Sequence, residues 1–151
     1  MRVMIAGTTG QLGGRLMSLE NHPVAEGKTL IPCGRDVLDL EAPDAFSSAF
    51  DRLSPDVLVS CGAYTAVDAV EDDAARAYQI NGVAPGLLAA ACAERGIKMV
   101  HISTDYVFGG TGTRPYLPVD DTAPLGVYGA SKLQGEQAVL NALPTASIVR
   151  V

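Results

Sequence analysis

The chain has 151 residues, 48% of them hydrophobic and 19% charged, a balance that excludes a disordered polymer and suits one domain with a filled core. Its 11 basic and 17 acidic residues leave a formal charge of −6, which argues against a nucleic-acid partner, because phosphate-backbone binding needs a basic stripe. No apolar run approaches the ~20 residues of a membrane span, and no C-x-x-C pair occurs among Cys33, Cys61 and Cys92. The expectation is therefore a cytoplasmic protein without membrane contact or metal site, its thiols reduced and buried as small hydrophobes.

In chain order, Val3 to Ala6 is a short continuous apolar run, the pattern of a strand inside a parallel sheet. Leu12, Leu16 and Leu19 then recur on one face of a helix. Thr29 to Cys33 reads as a second strand, Pro43 to Leu53 as a helix with proline in its first turn, and Asp56 to Cys61 as a third strand. Glu71 to Ala93 is alanine-rich and helical. Gly82 and Pro85 interrupt it, so it reads as two helices or one kinked helix. Gly96 stands where a C-cap glycine belongs, ahead of a fourth strand from Ile97 to Ser103. The stretch from Thr104 to Val127 reads as a long loop, a length that is uncommon in a compact domain unless functional or disordered. A helix from Tyr128 to Leu140 and a strand beginning at Ser147 complete the pattern. Strands alternating with helices predict an α/β fold with a parallel sheet.

Gly7-Thr8-Thr9-Gly10-Gln11-Leu12-Gly13 falls between the first strand and the first helix. Glycine is needed there three times. The first makes the tight turn, the second lets a pyrophosphate approach the backbone, and the third lets helix and strand pack closely. In this context G-x-x-G-x-x-G predicts a Rossmann-like, doubly wound domain over residues 1–151 that binds a dinucleotide. The bland alternative is a tight strand–helix turn with no ligand. Discrimination between NAD and NADP is expected ~20 residues beyond the turn, where Cys33-Gly34-Arg35-Asp36 stands. Arg35 favours NADP by pairing with a 2′-phosphate, and Asp36 beside it opposes that preference.

Tyr128 and Lys132 are spaced i, i+4, which puts a phenol and an ammonium on one helix face. A phenol titrates near 10, and a neighbouring positive charge brings it toward a working range for acid–base chemistry. Lys132 can also hold a cofactor ribose. Ser103-Thr104 closes the fourth strand, at the sheet end where ligands of open α/β proteins sit, and offers a hydroxyl to polarise a carbonyl. The other polar candidates read as structural. His22 lies in a loop, His101 is expected to be a satisfied core histidine, and Asp120 and Asp121 are expected to be solvated turn residues.

Together these features resemble the extended short-chain dehydrogenase/reductase family, and within it the dTDP-4-dehydrorhamnose reductases. The resemblance runs through the Gly7–Gly13 turn, Leu38-Asp39-Leu40, Ala63-Tyr64-Thr65-Ala66-Val67-Asp68 and Asn81. It continues through Ser103-Thr104-Asp105-Tyr106-Val107-Phe108 and the segment from Tyr128 to Glu136. It implies transfer of hydride from NADPH or NADH to the 4-keto group of a dTDP-sugar, converting dTDP-4-dehydrorhamnose to dTDP-L-rhamnose. By the same resemblance Tyr128 donates the proton, Lys132 lowers its pKa, and Thr104 bonds the sugar oxygen. Gly7, Gly10, Gln11, Leu12 and Gly13 take the pyrophosphate, Arg35 the 2′ position, and Asp39 and Leu40 the adenine. Ala63 and Tyr64 contact the cofactor, while Thr65, Val67 and Tyr106 lie on the sugar side. The dTDP-sugar and a second copy of the chain, as a homodimer, are the implied partners.

Several positions depart from the family pattern. Ser60 stands where asparagine is usual, Pro118 where a glutamate follows Tyr116 by two, and Arg15 where some members place an acidic metal ligand. The last of these argues against a magnesium-bridged dimer. Family members also carry a second, C-terminal part that closes over the nucleotide-sugar, so these 151 residues read as the cofactor-binding half. Two other classes fit the same motifs. A non-catalytic dinucleotide-binding regulatory subunit predicts a damaged Tyr/Lys pair, and here the pair is intact. A nucleotide-sugar epimerase or dehydratase is the other, the latter typically with an acidic residue beside the threonine, where Asp105 stands.

Overall fold

A computed structural model describes residues 1–151. Five strands form one parallel sheet: β1 (Arg2–Ala6), β2 (Thr29–Cys33), β3 (Val57–Ser60), β4 (Lys98–Ser103) and β5 (Ser147–Arg150). The spatial order is β2-β1-β3-β4-β5. Within the doubly wound class, this order puts the reversal of winding between β1 and β3, and ligands bind outside the carboxyl ends of strands at such a point. The α/β expectation holds, and each predicted strand is present to within two residues at either end.

The main core lies on one face of the sheet. Met4, Ile31, Leu58 and Met99 point from four strands toward the helices α2 (Phe46–Leu53), α5 (Ala84–Arg95) and α6 (Val127–Ala142). Phe46 and Phe50 of α2, Leu88 and Cys92 of α5 and Val139 of α6 fill the space between, each at most 2% exposed. Burying a side chain of this kind contributes about 1.5–3 kcal/mol. The opposite face carries α1 (Gln11–Met17) against β1, while Val57, Val59, Val100 and Ile102 are only half-buried there.

Four expectations need correction. Leu12, Leu16 and Leu19 do not share one helix, because Leu19 lies beyond its end. The helix α1 stops at Met17, Gly13 is its one fully buried residue, and Leu12 is 38% exposed at the rim of the cleft described below. The alanine-rich segment breaks at Asp73 rather than at Gly82, giving α3 (Ala69–Asp72) and α4 (Ala74–Ala77). A π-helical turn from Tyr78 to Val83 then leads directly into α5, the Ala84 N–H bonding back to the Gln79 carbonyl, and Pro85 sits just past this wider turn. Such π turns commonly mark functional sites. His101 is fully buried but neither ring nitrogen has a partner, so it is not a satisfied core histidine.

The stretch from 104 to 126 is an organised loop. It opens with a 3₁₀ turn, Asp105–Val107, capped by the Thr104 hydroxyl accepting the Tyr106 N–H at 3.3 Å. Asp120 is not a merely solvated turn residue. Its carboxylate takes both arms of the Arg114 guanidinium at 2.8 Å and the Leu117 N–H at 2.7 Å. Tyr116 stacks flat on Phe108 at 4.3 Å between ring centres.

Candidate active site

A cleft of about 730 Å³ opens at the carboxyl ends of the strands, at the point where the strand order reverses. Its floor is the turn after β1. Gly7 has φ +84°, a left-handed conformation that disfavours any side chain, and a Cβ there would lie 2.6 Å from the Gly62 nitrogen. Gly13 faces the Gly7 carbonyl so closely that a Cβ would overlap it. Gly10 differs: its nearest neighbour to an added Cβ is the Gly7 oxygen at 3.4 Å, and the residue is exposed on the cleft wall. The fold needs the first and third glycines. The bare backbone at the second is left facing the cleft, as close approach of a phosphate requires.

Gln11, Leu12, Arg35, Asp39 and Leu40 all line this cleft, as do Ala63 and Thr65 from the segment after β3. Tyr128 and Lys132 reach it from the first turns of α6. Sequence reasoning gathered these residues from five separate stretches, and the fold brings them together. Tyr64 lies outside: its backbone N–H and C=O are held by the Asn81 side chain at 2.8 and 3.0 Å, and the Arg76 guanidinium lies over its ring at 5.3 Å. Val67 is half-buried away from the cleft, and Thr104 and Tyr106 stand beside it without lining it. Tyr106, 55% exposed, meets the Tyr128 ring edge-on at 5.6 Å.

The expected effect of Lys132 on Tyr128 is not what the geometry supports. Lys132 is 2% exposed and donates from Nζ to the Ile102 carbonyl at 2.6 Å. Burial pulls its ammonium down to about 8, opposed by the nearby Glu136 carboxylate. The Tyr128 phenol is raised, not lowered: burial dominates, the Thr104 hydroxyl pulls the other way, and Asp105 adds to the rise. In this arrangement the phenol keeps its proton at neutral pH, which suits a donor.

Several contacts escaped sequence reasoning. Glu71 on α3 accepts the Val127 N–H at 2.8 Å, placing a carboxylate at the positive end of the helix that carries Tyr128. Asn81 in the π turn also donates to Ser131 at 3.1 Å, tying the Tyr64 segment to α6. Glu136, 3% exposed, accepts from Ser103 Oγ and from two nitrogens of Arg150 at 2.9 and 2.7 Å. Arg150 in turn donates to the Pro118 carbonyl at 3.2 Å and lies over the Phe108 ring at 4.9 Å. Helix, strand end and long loop are thus joined at one carboxylate. Cys61 lines the cleft rather than the core, and burial pushes its thiol up to about 11, which leaves it a neutral wall.

A family model described as the RmlD substrate binding domain matches residues 1–151. The chain belongs to this family. Among curated relatives of this RmlD-family chain, the dTDP-4-dehydrorhamnose reductase of Mycobacterium tuberculosis is 44% identical over 153 residues, which cover 99% of the chain and 49% of the relative. The crystal structure of a dTDP-4-dehydrorhamnose reductase from Clostridium acetobutylicum superposes with a TM-score of 0.93 at 37% identity, over 99% of this chain and 52% of that one. The enzyme of the same name from Bacillus anthracis, solved in complex with NADP, gives 0.91 at 36% identity, with coverages of 99% and 52%. The chain spans about half the length of the relatives it matches. No helix is long and apolar enough to cross a membrane.

Proposed function

We propose that the chain holds NADPH or NADH in this cleft, and that the protein it belongs to reduces the 4-keto group of dTDP-4-dehydrorhamnose to give dTDP-L-rhamnose. The observation that carries this reading is that Tyr128 and Lys132 line the same cleft as the Gly7–Gly13 turn. The relatives named as dTDP-4-dehydrorhamnose reductases, one with NADP bound, support it. The bound dinucleotide supplies the hydride that attacks the carbonyl carbon. The chain supplies the rest. The Gly10 backbone receives the pyrophosphate, Asp39 and Leu40 flank the adenine, and Arg35 meets the 2′ position. Tyr128 gives its phenolic proton to the carbonyl oxygen as the C=O π pair moves onto that oxygen, so one hydride on carbon and one proton on oxygen balance the reduction to an alcohol. Burial keeps that proton in place until it is needed. Lys132 holds the ribose and, once its ammonium is drawn toward the cofactor, offsets the phenolate left behind.

The test uses the full-length protein with dTDP-4-dehydrorhamnose and NADPH. Tyr128→Phe removes the proton donor and keeps the ring, so kcat should fall by roughly 10²–10⁴, the usual share of general acid catalysis, while NADPH affinity stays the same. Turnover near that of the parent would assign the proton to another group. Conversion of the substrate without oxidation of NADPH would point instead to an epimerase.

A further inference from the structure

We propose that Glu41, held in place by Arg76, sets how far the cleft favours a dinucleotide bearing a 2′-phosphate over one without it. This inference rests on the reading of the cleft as a dinucleotide site. Arg35 is the cleft's cation at the end of β2, and its side chain is 72% exposed. Its nearest carboxylate is Glu41, which also lines the cleft, at 3.8 Å. That is too long for a good hydrogen bond. Glu41 is instead committed to Arg76, whose Nε and Nη2 grip its two oxygens at 2.8 and 2.9 Å. The bond to Arg76 holds the Glu41 carboxyl below its usual range, so the group is ionised at neutral pH.

Arg76 stands outside the cleft, and its own position is fixed from two sides. The Tyr64 ring lies under its guanidinium at 5.3 Å, and Asp73 approaches at 4.0 Å. Tyr64 is in turn pinned through its backbone by Asn81. The result is a row of alternating charge, Arg76–Glu41–Arg35, in which Arg35 and Glu41 line the cleft and Arg76 stands behind them. A carboxylate held by a two-bonded guanidinium has little attraction left for a second. Arg35 therefore remains available to a phosphate. Released from Arg76, Glu41 would close on Arg35 and place its negative charge beside the 2′ position. There it would repel a phosphate and tolerate a hydroxyl. The expected size of each effect follows from one charge near a doubly charged phosphate at a surface site, roughly three- to tenfold in affinity.

The measurement is the ratio of NADPH to NADH dissociation constants of the full-length protein at low salt. Glu41→Gln should shift the ratio toward NADPH by roughly three- to tenfold, and Arg76→Met should shift it toward NADH by a similar factor. Arg76→Lys keeps the charge but loses the two-bonded grip, so it should fall between Arg76→Met and the parent. Raising the salt to 0.5 M should compress all these differences. Opposite shifts for the two positions are the signature that a merely structural role would not give, since general loosening moves both variants the same way. If NADH binds normally to every variant and the ratio stays fixed, or both positions shift it in one direction, the proposal fails while the dinucleotide reading stands. If the parent protein binds neither dinucleotide, the dinucleotide reading fails and takes the proposal with it.

Discussion

Alanine at Gly13 and alanine at Gly10 should damage different properties of the same turn. At Gly13 the new methyl group overlaps the Gly7 carbonyl oxygen and lies 2.8 Å from the Gly7 carbonyl carbon and 3.1 Å from the Thr8 Cα. All three are backbone atoms of the turn, so no side chain can rotate away. Overpacking of this kind costs about 1–3 kcal/mol, at the upper end where the neighbours are rigid. Alanine's better helix propensity returns about 1 kcal/mol. The net loss of about 2 kcal/mol should lower Tm by about 4–8 °C for a domain of this size. At Gly10 the nearest atom is 3.4 Å away and φ is −83°, so the fold should lose no more than about 1 kcal/mol, the N-cap difference between glycine and alanine. The bound state is where Gly10→Ala should suffer, because the methyl group occupies the approach of the pyrophosphate. A ligand at 100 times its Kd stabilises by about 2.7 kcal/mol, or about 5–11 °C in Tm. The parent should show that rise with NADPH, Gly13→Ala should show it from a lower baseline, and Gly10→Ala should show almost none. A full NADPH-induced rise in Gly10→Ala would refute the placement of the pyrophosphate. An unchanged baseline in Gly13→Ala would refute the packing argument.

Two further outcomes can be checked by urea unfolding. The buried His101 ring is held neutral down to about 3, against an ordinary value of 6.5, chiefly by burial and then by the Lys132 charge. Its contribution to stability is therefore complete above pH 6.5 and is lost as pH falls toward 3, because only the unfolded chain takes up the proton. His101→Leu should flatten the decline between pH 6.5 and 4, and a decline parallel to the parent's would show that another group governs it. Glu136→Gln strips the charge from a buried pair and leaves Arg150 without its counter-ion, which should cost about 3 kcal/mol. It should also speed hydrogen exchange around Pro118, and unchanged exchange there would mean that Arg150 does not hold the loop.

The strands were legible because a short apolar run bounded by glycine or proline has few other readings. The glycine turn was legible because its context, strand before and helix after, lies within 17 residues. The Tyr128/Lys132 pair was legible as a spacing but not as a direction. Whether an ammonium faces the phenol or the Ile102 carbonyl depends on what buries it, and burial comes from β4, 30 residues away. The same reason hid the orphaned nitrogens of His101, the Glu71 cap on α6 and the Arg76–Glu41 grip, each a meeting of residues at least 35 apart or a failure to meet. The strand order was not legible either, since identical runs fit 3-2-1-4-5 and 2-1-3-4-5 equally well. The spacing of Leu12, Leu16 and Leu19 does not show where α1 ends, and Gly13 rather than a leucine brings the α1 backbone against the strand–helix turn.

The helix carrying Tyr128 and Lys132 is pressed against its neighbours at two glycines. At Gly135 the contact is with the Asn81 carbonyl of the π turn, and at Gly129 with the Tyr106 carbonyl of the loop, each too close for any side chain to intervene. Main chain therefore rests on main chain on both sides of the lysine. Peptide groups have fixed bond lengths and no rotamers, so the helix is seated as a machined part is, on hard stops rather than on springs. Random changes in the surrounding hydrophobic side chains can alter how firmly the domain folds, yet they have little leverage on where the phenol and the ammonium stand. Stability and reaction geometry can drift separately in such a chain, and the two glycines are the positions at which they cannot.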